Sequence, residues 1–150
     1  MIDAPNRDEM RQKIEKSFAR QNMMATIGAK LVQIDRGKIT ISAPILDEFS
    51  QQHGFAHAAI SFALGDSAAG YAALSVMPPG DEVLTAEMKI NLLAPASGER
   101  LEATGHVIRA GRRLVVVGAT VRAIDGDKRW DVAILQGTMV PVRGDKLKAT

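Results

Sequence analysis

The chain has no cysteine among its 150 residues, which excludes disulfides, a thiol nucleophile and thiolate-held metals. Aromatic residues are scarce, at 4% with one Trp and one Tyr, so there is little to build the stacking platforms that read single-stranded nucleic acid. No sign of charge dominates. Lys and Arg number 19 against 17 Asp and Glu, a net +2 with the signs interspersed, and neither a polyanion-binding stripe nor an acidic tail results. No uninterrupted apolar run reaches the length of a bilayer span. The start MIDAPNRDEM lacks the basic-then-apolar order of a secretory leader. Together these absences predict a protein that meets neither nucleic acid nor membrane and works in a reducing cytoplasm.

What is present is an ordinary globular composition, 46% hydrophobic and 24% charged over a length typical of one domain, and residues 1–150 read as a single unit. Asn6 with Glu9 forms a capping-box pattern. Met10, Ile14, Phe18, Gln21 and Met24 then recur at helical spacing, which predicts one amphipathic N-terminal helix over about 6–26. From Ala29 the rhythm becomes β-branched around Asp35-Arg36-Gly37, a hairpin pattern. Ala56 to Met77 is apolar on every face and ends at Pro78-Pro79-Gly80, the signature of a buried helix. Four strand-like segments follow, separated by ASGE, Gly111 and Asp125-Gly126-Asp127. The tail over about 143–150 has no periodicity and reads as loose. Helix, two strands, buried helix and four strands make an α+β protein. Its antiparallel sheet of about six strands curls round one helix, the hot-dog arrangement.

Asp66 is the residue that this pattern leaves unexplained. A carboxylate inside an apolar helix is costly unless it is hydrogen-bonded, paired or put to use. The segment around it offers the parts of an acyl-transfer site, which needs donors for a developing oxyanion and a carboxylate to attack or to activate water. If the helix begins near Ala56 to Ala58, its first N–H groups are unpaired and lie at the positive end of the helix dipole; Ala58 N–H is the candidate oxyanion donor. Gln51 carries an amide that can hold a carbonyl or position water. His57 reads first as a residue that shapes the turn and second as a base. His53 and His57 share the spacing of a metal pair, but Gly54 weakens a helix there and no third ligand lies near in sequence, so no metal is expected.

The stretch from about Phe49 to Val121 resembles the acyl-CoA thioesterases of the hot-dog superfamily, of the PaaI-like type of the phenylacetate pathway. In that family a loop Asn or Gln stands six positions before the His of an H-G-G-like turn. A helical Asp or Glu follows nine after that His, and a strand near T-x-E-x-K-I-N-x-L-x-P-A comes later. Gln51, His57, Asp66 and TAEMKINLLAPA from Thr85 to Ala96 fit that order and spacing. The departures are Ala58-Ala59 in place of two common glycines and Gln51 where many relatives carry Asn. The resemblance implies hydrolysis of an acyl-CoA or aryl-CoA thioester, with Asp66 as nucleophile or general base and Thr85 supplying a hydroxyl near it. No cofactor is implied beyond the CoA of the substrate. Arg112 and Arg113, otherwise a solvated turn, become candidates for the phosphates of CoA.

Two other readings stand beside it: a hot-dog hydratase or dehydratase, and a non-catalytic acyl-CoA-binding protein. Hydratase-type relatives place a His five after the helical Asp, and here that position is Tyr71. Helix geometry adds an expectation about assembly. Asp66 lies nine positions beyond His57, on the opposite helix face and roughly 13 Å along the axis. Convergence therefore calls for a homodimer with antiparallel central helices, each Asp66 facing the partner's Gln51 to Ala58 turn; pairing of dimers into a tetramer is left open.

Overall fold

The computed structural model describes residues 6–147. Helix α1 (Arg7–Ala19) opens on the expected capping box, with Glu9 N–H donating to Asn6 Oδ1 at 2.9 Å and Asn6 N–H to Glu9 Oε2 at 3.3 Å. The helix does not run on to residue 26. It stops at Arg20, Gln21 takes an extended conformation, and a separate short helix α2 (Asn22–Thr26) follows. The break has a tertiary cause: the Gln21 side chain is held by Tyr71 and Ser67. Met10, Ile14 and Met24 still reach the core, so the expected apolar face survives in two pieces. Lys13 Nζ donates to the carbonyls of Pro78 and Asp81, tying α1 to the chain that leaves the central helix, and burial lowers the pKa of this ammonium.

The hairpin β1 (Lys30–Asp35) and β2 (Lys38–Pro44) is followed by the central helix α3 (Ala58–Leu74) and four strands, β3 (Asp81–Leu92), β4 (Arg100–Ala110), β5 (Val115–Asp125) and β6 (Lys128–Arg143). All pairings are antiparallel, in the order β1-β2-β4-β5-β6-β3. The six-stranded sheet and its packed helix match the hot-dog expectation. β6 extends to Arg143 and a 3₁₀ turn covers Gly144–Leu147. The tail is thus structured over most of the segment expected to be loose; residues 148–150 lie outside the described residues.

Alternate residues of β2, β4, β5 and β6 point at α3. Ile39, Ile41, Leu101, Ala103, Val117, Val121 and Met139 are fully buried against Leu64, Ala68 and Ala72. The closest approach is at Gly105 on β4, where an added Cβ would lie 2.2 Å from the Ala68 carbonyl carbon. The central helix starts two residues later and ends three earlier than the apolar run, because His57 caps its start and Ser75 its end. Ser75 Oγ donates to Ala72 O and accepts the Gly37 N–H. Nor is α3 covered on every side. Ala58, Ala59, Phe62, Ala63, Asp66 and Ser67, spaced by four, form a stripe that the chain's own sheet does not bury.

Candidate active site

Asp66 sits mid-helix on that stripe, half-buried, and its Oδ1 accepts a 2.8 Å hydrogen bond from Thr85 Oγ1. The contact depends on a β-bulge. β3 and β6 pair Thr85 with Met139 and Glu87 with Thr138, leaving Ala86 as the extra residue. The bulge lets Thr85 and Met88 both face the helix while Glu87 turns outward to accept from Thr138. Burial raises the Asp66 pKa above the ordinary 3.8, and the Thr85 hydrogen bond opposes the rise. The result is a carboxylate more basic than an exposed aspartate.

The candidate donors form a second cluster at the start of α3. His57 is the N-cap residue: its Nδ1 accepts the Ala59 N–H at 2.9 Å and its carbonyl accepts the Ile60 N–H at 2.9 Å. Among the described residues the Ala58 N–H has no protein acceptor, and it points from the positive end of the helix. The loop before it folds on itself, with Gln51 N–H donating to Phe55 O, Gly54 N–H to Gln51 O, and Gly54 at φ +80. That positive φ is why glycine occupies the turn. His57 N–H and Ala56 N–H bind Phe49 O and Ala96 O at 2.8 Å each, which fixes the loop to the chain after β3. Gln51 Oε1 is used locally, accepting the His53 N–H.

The two clusters open into different cavities. Gln51, His57 and Ala58 line one of about 470 Å³; Asp66 and Thr85 line another of about 300 Å³, and no residue is shared. Within one chain, then, the expected site residues fall into two separate groups. Arg112 and Arg113 are exposed in the β4–β5 turn. The pairings Ala110 with Val115, Val115 with Met139 and Met139 with Thr85 put that turn at the Thr85 end of the sheet. Among the described residues no group of three His, Asp or Glu converges as a metal site would require.

Sequence reasoning overlooked the polar network that lines the Asp66 cavity. Gln21 Nε2 donates to Tyr71 Oη at 2.9 Å, Ser67 Oγ donates to Gln21 Oε1 at 3.4 Å, and Ser17 Oγ lies 3.3 Å from Tyr71 Oη. Phe18 packs on the Tyr71 ring with centroids 6.0 Å apart. The available signal was Ser17 and Gln21 at i, i+4 on the buried side of the N-terminal helix.

Residues 53–129 match the thioesterase superfamily. The chain belongs to this family. A thioesterase family protein from Silicibacter pomeroyi superposes on this thioesterase with a TM-score of 0.88 and 40% identity, over 90% of this chain and 99% of that one. The 1,4-dihydroxy-2-naphthoyl-CoA hydrolase of Listeria monocytogenes is 27% identical over 90 residues, 60% of this chain and 73% of that protein. The E. coli PaaI protein of the phenylacetic acid degradation operon shares the fold, with a TM-score of 0.81 at 20% identity over 91% of this chain and 96% of that one. The resemblance to hot-dog thioesterases therefore holds, and the protein is a thioester hydrolase. Among the described residues, no helix of this thioesterase is long and apolar enough to cross a membrane.

The Asp66–Thr85 pair carries a pH prediction. Activity that needs ionised Asp66 falls as pH drops through its raised pKa. Thr85→Val removes the hydrogen bond that holds that pKa down, so the acid limb of kcat/KM should move to higher pH. A pH–rate profile of both proteins checks it; an unmoved limb would mean that Asp66 is not the titrating group.

Proposed function

We propose that this thioesterase hydrolyses acyl-CoA or aryl-CoA esters to the free acid and CoA in a site shared by two copies of the chain. The observation that carries the reading is the division of the machinery. Asp66 with Thr85 and the Ala58 N–H with Gln51 occupy separate cavities of one chain, on a helix whose intervening stripe is uncovered. A second copy laid antiparallel on that stripe covers it and faces each Asp66 with the other chain's Gln51 to Ala58 turn. The β3 edge supports such pairing. It is a 12-residue strand with, among the described residues, a neighbour on one side only, and Leu84, Leu92 and the adjoining Leu93 are about half exposed.

In that site the thioester carbonyl oxygen meets the Ala58 N–H, which stabilises the charge that develops on it. Gln51 holds the carbonyl or the water through its amide. Asp66 either attacks the carbonyl carbon, expelling the CoA thiolate and leaving an anhydride for water to open, or takes a proton from the attacking water. No cofactor enters beyond the CoA of the substrate. Arg112 and Arg113 meet the CoA phosphates from the Thr85 end of the sheet. Replacing both with Ala should raise KM for CoA esters with little change in kcat, because phosphate contacts hold ground and transition states alike; short thioesters without the nucleotide should be unaffected.

Differently tagged Asp66→Asn and Gln51→Ala chains, co-expressed and purified as the mixed dimer, test the shared site. One site then carries both defects and the other is built from intact residues, so about half of wild-type thiol release is expected if sites act independently. Activity no higher than the mean of the two parents would show that Asp66 and Gln51 do not act in one composite site. Hydration of an enoyl ester, or binding without turnover, would replace the thioesterase chemistry altogether.

A further inference from the structure

Among the described residues the buried polar ones are Thr40, Ser61 and Ser75. Two of them are satisfied. The Thr40 hydroxyl lies 3.0 Å from that of Thr104, and Ser75 Oγ donates to Ala72 O while accepting the Gly37 N–H. Ser61, 2% exposed in α3, makes no side-chain hydrogen bond to any described residue. A serine inside a helix commonly donates to the carbonyl four residues back, but here His57 O accepts the Ile60 N–H and nothing from the Ser61 hydroxyl. Its hydrogen is left over.

Every fully enclosed side-chain oxygen or nitrogen among the described residues has a partner, so the partnerless Ser61 oxygen must reach open space. That space is the cavity of about 470 Å³ that Gln51 and Ala58 also line. Apart from Gln51, His57 and Ser61 the side chains around it are apolar, and Gln51 Oε1 and His57 Nδ1 are engaged locally by the N–H groups of His53 and Ala59. Ser61 stands three positions after Ala58, and helical side chains lean toward the N-terminus of their helix. The hydroxyl therefore reaches back toward the turn from which the Ala58 N–H points. Two unclaimed donors, one from the backbone and one from a side chain, serve one cavity.

We propose that the Ser61 hydroxyl is a second donor of the oxyanion site, holding with the Ala58 N–H the oxygen of the thioester carbonyl. The assignment rests on the reading of this cavity as the carbonyl site of a thioesterase. When the nucleophile adds, the π pair of the carbonyl moves onto oxygen and both hydrogen bonds to it strengthen. When the adduct collapses, the pair returns and the C–S bond breaks to release CoA thiolate. Ser61 donates a hydrogen bond and keeps its proton throughout. A hydroxyl kept without a protein partner costs stability, and a donor reserved for substrate entails that cost.

A panel of acyl-CoA and aryl-CoA esters, read by thiol release, supplies the best substrate for comparing wild type with Ser61→Ala. The variant should lower kcat at least about tenfold with KM within about threefold, because the hydrogen bond strengthens only as charge develops. Two CoA analogues separate this from a structural role. A trifluoromethyl ketone, which takes up a nucleophile to form a tetrahedral oxyanion, should bind the variant at least about tenfold more weakly than wild type, whereas an S-alkyl thioether without a carbonyl should bind both within about twofold. Melting should run against activity: alanine favours the helix and leaves no hydroxyl unpaired, so Ser61→Ala should melt no lower than wild type. Turnover within about threefold of wild type, or equal weakening of both analogues with a lower melting temperature, overturns the assignment of Ser61 and leaves the thioesterase standing. Thiol release from no ester overturns the hydrolytic reading and this role with it.

Discussion

Asp66→Asn should lower turnover of CoA esters by at least about a hundredfold while the protein stays folded and binds substrate. The substitution keeps the shape of the side chain and an oxygen for the Thr85 hydroxyl, and removes the basic charge alone. It also separates activity from stability. The folded-state pKa of Asp66 is raised by burial, so the native protein holds this proton more tightly than the unfolded chain. The associated stability is present at acid pH and is lost as pH rises through the raised value. Above that value wild type keeps a half-buried charge that the Asn variant lacks. The variant should therefore melt no lower than wild type at pH 8, with any gain shrinking as the pH falls and Asp66 becomes neutral. Steady-state kinetics and melting curves across pH check both parts. Turnover within tenfold of wild type would make Asp66 a structural residue.

Gly105→Ala should be the most damaging single methyl that can be added to the sheet. Its Cβ would stand 2.2 Å from the Ala68 carbonyl carbon, 2.3 Å from the Ala69 nitrogen and 2.4 Å from the Ala68 oxygen. These are backbone atoms of a helix and cannot rotate away, unlike the Leu135 side chain that a Cβ at Gly65 would meet. The helix must lift from a sheet against which Leu64, Ala68 and Ala72 are fully buried. A cost of about 3 kcal/mol or more is expected from overpacking, against a total stability on the order of 5–15 kcal/mol. This corresponds to a melting temperature lower by roughly 10 °C, or to loss of folded protein. Gly70→Ala is the control. Its Cβ would meet only Met139 Cε at an ordinary 3.8 Å, and alanine within a helix gains up to about 1 kcal/mol over glycine. Equal melting of Gly105→Ala and wild type would show that helix and sheet do not meet as described.

The parts of this architecture that were legible before folding are those set by local pattern. The capping box at Asn6, the hairpin around Gly37 and the β-branched runs of β4, β5 and β6 follow from residues close together in sequence. Ala58 as the first helical N–H was legible from helix-end chemistry, while the nearness of Thr85 to Asp66 came from family resemblance. What was hidden depends on distant partners. Gln21 fits the helical period, and only its hydrogen bonds to Tyr71 and Ser67 show why the helix breaks there. Alanine and phenylalanine look alike to a burial pattern whether covered by their own sheet or by another copy, so the open stripe of α3 could not be read from Ala59, Phe62 and Ala63. The Ala86 bulge likewise has no local mark; it is the register against Met139 and Thr138 that creates it.

The place of β3 in the sheet sets an order of events for the growing chain. Among the described residues β3 pairs with β6 alone, although β4 and β5 both intervene in sequence. A nascent chain that has emerged through β5 can zip β1, β2, β4 and β5 into a curved sheet, yet β3 must wait with both of its edges bare. During that interval Thr85 has no fixed position and Asp66 no hydroxyl beside it, so a chain that stalls before Lys128 carries every proposed catalytic side chain and no assembled carboxylate. The sixth strand completes the Asp66–Thr85 pair, late and in one step.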